Sequence, residues 1–500
     1  MFDVNRRYTY FWDSDMRTYG SSINIAHPGC QFIGGAWRPA RGQPHALIDP
    51  STEETHDGFL LGGAEDVDAA IAAARTSFDD GPWPHMAPDE RGRLIARMTQ
   101  FLSERRGELE EAWTLQVGAI ATMRARAVDN GIGHLRRAAE QASALEVERR
   151  AESPVGDAVI RQEPVGVVAA IASWNGTLLQ AASKIGPALA AGCTVVMKPA
   201  PTTPIEAIII AECAEAAGIP SGVLNVVHVS NDGAERLISD PRVDKVSFTG
   251  STGIGRHIAR TCGDRIARYS LELGGKSAAI VLDDADVEVV GKKIARTITA
   301  LSGQLCSMLS RVVVTNDRHD ALAEVIASEM AKVKVGSAYD PVTEMGPMAL
   351  ERQRLGVEEK VARAKAEGAT LVYGGGRPAH LNKGFFLEPT LFANVAPDTS
   401  LAQAEVFGPV LALIPAEDEE DTVRIANNSI YGLHGAVFTN DKSRAMAIAR
   451  RIRTGTFAQN GMRLDFALPF GGYKQSGIGR EGGPEAILEY LETKTIILDA

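Results

Sequence analysis

From residue 165 onward the chain alternates short β-branched runs with helical segments, and this rhythm limits the possible folds more than any other feature. Extended runs fall at 165–171, 194–197, 224–227 and 245–248, with helical stretches at 178–191 and 205–217. Strands apolar on both faces must be covered on both faces, so the pattern predicts a parallel sheet between two layers of helices, the doubly wound α/β arrangement. A second series at 278–282, 311–315, 410–414 and 436–438 predicts a second α/β unit starting near Lys276. Upstream, Val67, Ala70, Ile71, Ala74 and Phe78, then Leu94, Ile95, Met98, Phe101 and Leu102, recur at helical spacing and predict two amphipathic helices. Segments 158–162 and 494–498 suit strands outside the main sheets.

A length of 500 residues exceeds one ordinary core and suggests about three units at roughly 150 residues each, or two large ones. The formal charge of −11 argues against a nucleic-acid partner, which would demand clustered Lys and Arg. The five cysteines are scattered without CxxC or Cys/His clusters, which favours reduced thiols over disulfides and predicts no metal site. The first twenty residues lack a signal-type apolar stretch, and the longest apolar segments fall short of the roughly 18 residues that span a bilayer, so no membrane partner and a cytoplasmic location are expected.

Two short motifs carry reactive groups. Cys306 sits in Gly303-Gln304-Leu305-Cys306-Ser307, and Glu272 opens Glu272-Leu273-Gly274-Gly275-Lys276-Ser277. A thiolate can attack a carbonyl carbon and hold the product as a thioester, and a carboxylate can activate the water that hydrolyses it. The other cysteines suit small core hydrophobes; Cys193 precedes an apolar strand and Cys213 lies in an apolar helix. In Phe248-Thr249-Gly250-Ser251-Thr252-Gly253-Ile254-Gly255 a predicted strand turns into a predicted helix, whose first N–H groups suit a phosphate. Its glycine order departs from Gly-x-Gly-x-x-Gly, so spacing alone balances a phosphate loop against an ordinary turn. Lys198 ends a predicted strand at the sheet edge where nucleotides bind in such folds. Asn175, after Trp174, lies in a strand-to-helix loop; its amide could donate to an oxyanion, although Asn in a turn is more often only a turn residue. Taken alone, Phe407 suits the core and Glu405 the surface.

Over roughly residues 30–500 these motifs together resemble the NAD(P)-dependent aldehyde dehydrogenase superfamily. Glu405-Val406-Phe407-Gly408-Pro409, the 427–438 stretch containing Tyr431-Gly432-Leu433, and the glycine-punctuated run from Pro469 to Glu481 add to the likeness in the right order. The resemblance implies a Rossmann-like cofactor domain from 30–148 and 170–275 and an α/β catalytic domain over 276–475. It implies oligomerisation strands at 149–169 and 490–500, a return segment at 476–489, and a homo-oligomer, dimer or tetramer. An aromatic-rich extension, 1–29, precedes the matched region; its Tyr8, Tyr10, Phe11, Trp12 and Tyr19 are expected to dock on the body or on a neighbouring subunit.

The resemblance also implies an activity: Cys306 attacks an aldehyde, Asn175 and the Cys306 N–H hold the oxyanion, hydride passes to the nicotinamide, and Glu272 activates the hydrolytic water. Trp174, Lys198, Phe248, Gly250, Ser251, Gly255, Leu273, Gly274, Glu405 and Phe407 would bind the cofactor. NAD is expected, with NADP admitted because Pro201 stands where the family commonly has a Glu that repels a 2′-phosphate. Around Asn175 the family's Pro before Trp is Ser173, and its Phe-Pro is Gly176-Thr177. For the aldehyde substrate, Gly176 and Ser183 replace flanking aromatics and imply a wider or more polar entrance; Phe470 is retained, and the loop 461–468 offers Arg463 to a substrate carboxylate. Two alternatives remain: a CoA-acylating semialdehyde dehydrogenase, and a non-catalytic scaffold retaining the fold.

Overall fold

A computed structural model describes residues 22–499 and the backbone of 17–19. Tyr8, Tyr10, Phe11, Trp12 and the Tyr19 side chain lie outside the described residues. The strand Arg17–Tyr19 pairs antiparallel with Ile23–Ile25, whose Ile23 and Ile25 are fully buried.

The first sheet has eight strands in the order Gly477–Ile478, Arg268–Glu272, Lys245–Thr249, Val167–Ile171, Thr194–Lys198, Leu224–Val226, Cys30–Ile33 and Ala36–Pro39. Its inner five strands are parallel. The edges are antiparallel, so the expected all-parallel sheet is mixed. Such edge strands need no helical cover on both faces; Ala36–Pro39 is largely exposed and lacks the apolar run that marks the inner strands. Along Val167–Ile171, Val168 and Ala170 enter one core while Val167, Ala169 and Ile171 enter the other. That period of two, with helices on both sides, is the reason the strand reads as a continuous apolar run.

The second sheet orders Thr370–Tyr373, Thr390–Ala393, Val410–Ala416, Leu309–Thr315, Ser277–Val281, His434–Phe438 and Thr456–Gln459. Ala278 and Ile280 face one core, and Ala279 and Val281 the other. The strands near 370, 390 and 456 were not expected, because runs of four residues carry too little periodicity. A third sheet joins Leu491–Leu498, Asp157–Pro164 and Glu148–Ala151, all antiparallel.

Two features position the site. Val167–Ile171 has Thr194–Lys198 on one side and Lys245–Thr249 on the other, so the connections beyond its carboxyl end diverge and leave a crevice. The helix Thr177–Ala191 starts at that end and stops at Gly192, whose φ of 99° favours glycine. Over its first turn lies the helix Ala121–Ser143; a Cβ on Gly131 would fall 2.6 Å from Leu178 Cγ, so only glycine permits this approach. Among the described residues no helix is long and apolar enough to cross a membrane, and no cluster of three or more metal-ligating side chains occurs.

Candidate active site

The Cys306 loop follows the helix Val287–Thr299, whose start is capped by Asp286 accepting from Glu288 N at 2.9 Å and Val289 N at 3.2 Å. Leu301, Ser302 and Gly303 then take φ of 47°, 53° and 72°. Two non-glycine residues in the left-handed region cost roughly 1–3 kcal/mol each, so the surroundings must hold them. Ser302 Oγ lies 2.7 Å from the Gly346 carbonyl and 3.1 Å from that of Pro347. Gln304 Nε2 donates to Leu301 O at 3.0 Å, and its Oε1 accepts from Ala349 N at 3.0 Å. A Cβ on Gly303 would lie 2.1 Å from the Gly408 carbonyl oxygen. Gly303→Ala is therefore expected to cost at least about 2 kcal/mol in thermal or denaturant unfolding. Gly263→Ala, where a Cβ meets nothing within 4 Å, should be neutral or slightly stabilising, and equal effects from the two would refute the steric account.

Beneath this loop, a Cβ on Gly275 would fall 2.1 Å from the Cys306 carbonyl oxygen, so the Gly274-Gly275 pair lets the two segments cross. Burial, then the charges of Glu405 and Glu272, push the Cys306 thiol up to about 12. A thiol held this high needs a base to take its proton before the sulfur can act as a nucleophile.

Glu272 closes the strand Arg268–Glu272 and is buried, with neither carboxylate oxygen hydrogen-bonded among the described residues. Burial, then the charge of Glu481, raises its carboxyl well above the usual range, against opposing Lys184 and Arg480. Lys184 is fully buried, pairs with Glu481 and donates to Thr249 Oγ1 at 2.6 Å. Ser183 donates to the same Glu481 carboxylate at 2.8 Å. Ser183 is thus engaged with Glu481 and is not among the residues that line the aldehyde-side cavity, where it was expected.

Asn175 is held from every side. Its Nδ2 donates to Gln304 O at 2.9 Å, which leaves a second N–H available. Gln180 Nε2 donates to its Oδ1 at 2.8 Å, Ser173 Oγ lies 2.6 Å from that oxygen, and Trp113 Nε1 donates to its carbonyl at 3.0 Å. Ser173, where the resembled family has Pro, thus joins the polar network.

Two cavities meet at Asn175. One, of about 230 Å³, opens at the sheet crevice and is lined by Trp174, Thr249, Gly250, Ser251, Leu273, Gly274, Cys306, Glu405 and Phe407. Trp174 and Phe407 stand edge to face at 5.5 Å, and Glu405 accepts from Gly275 N at 3.0 Å. Ser251 caps the helix Thr252–Asp264. Gly250 and Gly255 are glycines for packing: a Cβ would fall 2.4 Å from the Phe248 ring and 2.5 Å from Leu273 Cδ2. A Cβ at Gly253 would meet nothing within 4 Å, so the space beside the helix start is open there. Lys198 is buried at the end of Thr194–Lys198, where burial lowers it to about 8.

The other cavity, of about 360 Å³, is lined by Trp113, Met123, Arg126, Gly176, Leu178, Leu305, Met462, Leu464 and Phe466 among others. Gly176 is where expected. Arg463 is exposed and absent from the lining, a correction with a simple cause: Met462, Leu464 and Phe466 alternate inward, which turns Arg463 outward. Phe470 packs on Phe466 at 5.7 Å as a support outside the wall. The alternation was visible in the sequence; the contribution of Trp113 was not.

Comparison with known proteins agrees with this architecture. The Aldehyde dehydrogenase family pattern matches residues 37–496. Geranial dehydrogenase of Castellaniella defragrans is 39% identical over 93% of this chain and 98% of its own length. 3-Succinoylsemialdehyde-pyridine dehydrogenase of a Pseudomonas species is 38% identical with the same coverage. The crystal structure of a Mycobacterium tuberculosis aldehyde dehydrogenase complexed with NAD+ superposes with a TM-score of 0.91 at 39% identity, covering 94% of this chain and 98% of that one. Betaine aldehyde dehydrogenase from Staphylococcus aureus, in complex with NAD+, gives 0.92 at 36% identity, covering 94% of each. The chain belongs to the aldehyde dehydrogenase family.

Proposed function

We propose that the chain oxidises an aldehyde to its carboxylic acid with NAD, through a thioester on Cys306. The observation that carries this reading is the meeting of two cavities at Asn175, with Cys306 on the wall and the buried Glu272 close enough for its charge to act on the sulfur. Glu272, when ionised, takes the thiol proton, and sulfur bonds to the carbonyl carbon while the C=O π pair moves onto oxygen. The free Asn175 N–H and the Cys306 N–H receive that oxyanion. Bound oxidised nicotinamide supplies the hydride acceptor, leaving an acyl thioester on sulfur. Glu272 passes the first proton on to solvent and, ionised again, takes a proton from water; the water oxygen bonds to the acyl carbon, and sulfur departs with its electron pair.

The chain's residues fit the dinucleotide. The helix start at Gly253 is open for a phosphate, the Glu405 carboxylate suits ribose hydroxyls, and the Trp174–Phe407 pair walls the nicotinamide side. The NAD+ complexes of the M. tuberculosis and S. aureus proteins support the same cofactor. With Pro201 in place of the repelling carboxylate, discrimination is expected to be weak: NAD and NADP should differ in kcat/KM by less than about tenfold. A ratio above about a thousand would place the choice on another group. The governing experiment is NADH growth across an aldehyde panel without coenzyme A. A strict requirement for coenzyme A would instead favour the acylating reading, and silence across the panel the scaffold. The outer edges of the third sheet, with exposed Ile497 and Leu498, support a homo-oligomer built through these strands.

A further inference from the structure

The aldehyde-side cavity has one ionisable side chain in its lining, Arg126, and no carboxylate. Thr122, Met123, Arg126, Ala127 and Asn130 line it from successive turns of the helix Ala121–Ser143, so the guanidinium and the Asn130 amide sit one turn apart on the same face. On the same helix and the one before it, Asp129 and Glu110 are engaged by other arginines. Arg106 pairs with Glu110 at 2.8 Å and with Asp129 at 2.9 Å, and Arg124 lies 3.7 Å from Glu110. Arg126 makes no ion pair or hydrogen bond among the described residues. Most of the remaining wall is apolar, from Trp113 and Met123 to Leu305, Met462, Leu464 and Phe466, with Thr122, Thr177 and Asn175 as its other polar members.

A cavity with a reactive end at Asn175, an apolar middle and an unpaired guanidinium in its wall selects for charge as well as shape. We propose that Arg126 is a specificity-determining residue, and that the substrates are aldehydes with an apolar body bearing a carboxylate remote from the aldehyde carbon. This rests on the aldehyde-oxidation reading above. The guanidinium fork donates to both carboxylate oxygens in one plane, and the Asn130 amide can add a third donor. Aldehydes carrying a fixed positive charge are disfavoured by the same arrangement, since no lining carboxylate would offset repulsion from Arg126.

The test compares straight-chain aldehydes ending in a carboxylate with their methyl esters at each chain length, in the parent protein and in Arg126→Met. The acid-to-ester ratio of kcat/KM should peak at one length in the parent and fall roughly tenfold or more in the variant, carried by KM of the acid. That range follows from charge-assisted hydrogen bonds, reduced by the exposure of Arg126. The parent's preference for the acid should also shrink as ionic strength rises. A ratio that Arg126→Met leaves unchanged at every length, while the esters are oxidised, overturns the proposal and leaves the aldehyde reading standing. Absence of NADH formation with acids and esters alike would overturn both.

Discussion

Cys306→Ala is expected to eliminate aldehyde-dependent NADH formation, with kcat down by at least about 10⁴-fold and NAD binding retained. Removal of a covalent nucleophile costs this much because the hydroxide or water left behind has neither its nucleophilicity nor its position. The loss should be purely chemical. Cys306 is held by a loop whose geometry depends on the backbone and on Ser302 and Gln304. Cofactor titration by fluorescence and thermal unfolding should therefore match the parent. Cys193→Ala serves as the contrasting control: this thiol is buried, donates to the Tyr490 carbonyl at 3.4 Å, and burial pushes it up to about 12, far from either cavity lining. It should lose stability and keep its turnover number. Retention of turnover in Cys306→Ala would refute the thioester route.

Glu272→Gln should separate the two halves of the reaction. Amide in place of carboxylate keeps the shape and removes the base, so steady-state turnover is expected to fall by roughly 10²–10⁴-fold. If thioester hydrolysis is the step most dependent on Glu272, rapid mixing will show a burst of up to one NADH per active site before the stall. The pH profile gives an independent reading. Only the ionised carboxylate accepts a proton, and burial beside Glu481 raises Glu272, so activity in the parent should be lost as pH falls through that raised value and not near the ordinary carboxylate range. The thiol, pushed up to about 12, tilts the profile the same way, with activity rising from neutral into alkaline solution. Glu272→Gln should lose the part of this slope that Glu272 contributes. A parent profile flat between pH 5 and 9 would contradict the electrostatic description.

Much of this was legible in the chain. The two-sided burial of Val167–Ile171 and Ser277–Val281 follows from their unbroken apolar composition, since such strands have no face to spare for water. Cys306 and Glu272 stood out because each sits in a short glycine-rich pattern, and those glycines turn out to be steric necessities at 275 and 303. What sequence reading missed are contacts between distant segments. Lys184 and Glu481 are 297 residues apart, and nothing local to either signals that they meet beside Glu272. Trp113 likewise joins a helix of the N-terminal third to the Asn175 carbonyl. Arg463 lies outside the cavity lining for a different reason. Its charge drew attention, while the inward alternation of Met462, Leu464 and Phe466 decided which side chains face the cavity.

The partition at Asn175 has a consequence for traffic. Because Leu305 faces one chamber and Cys306 the other, the proposed reaction would bring the carrier of electrons and the carbon compound to the sulfur from opposite sides. On that reading the spent dinucleotide would be free to leave while the acyl group is still tethered, and water would approach through the vacated chamber.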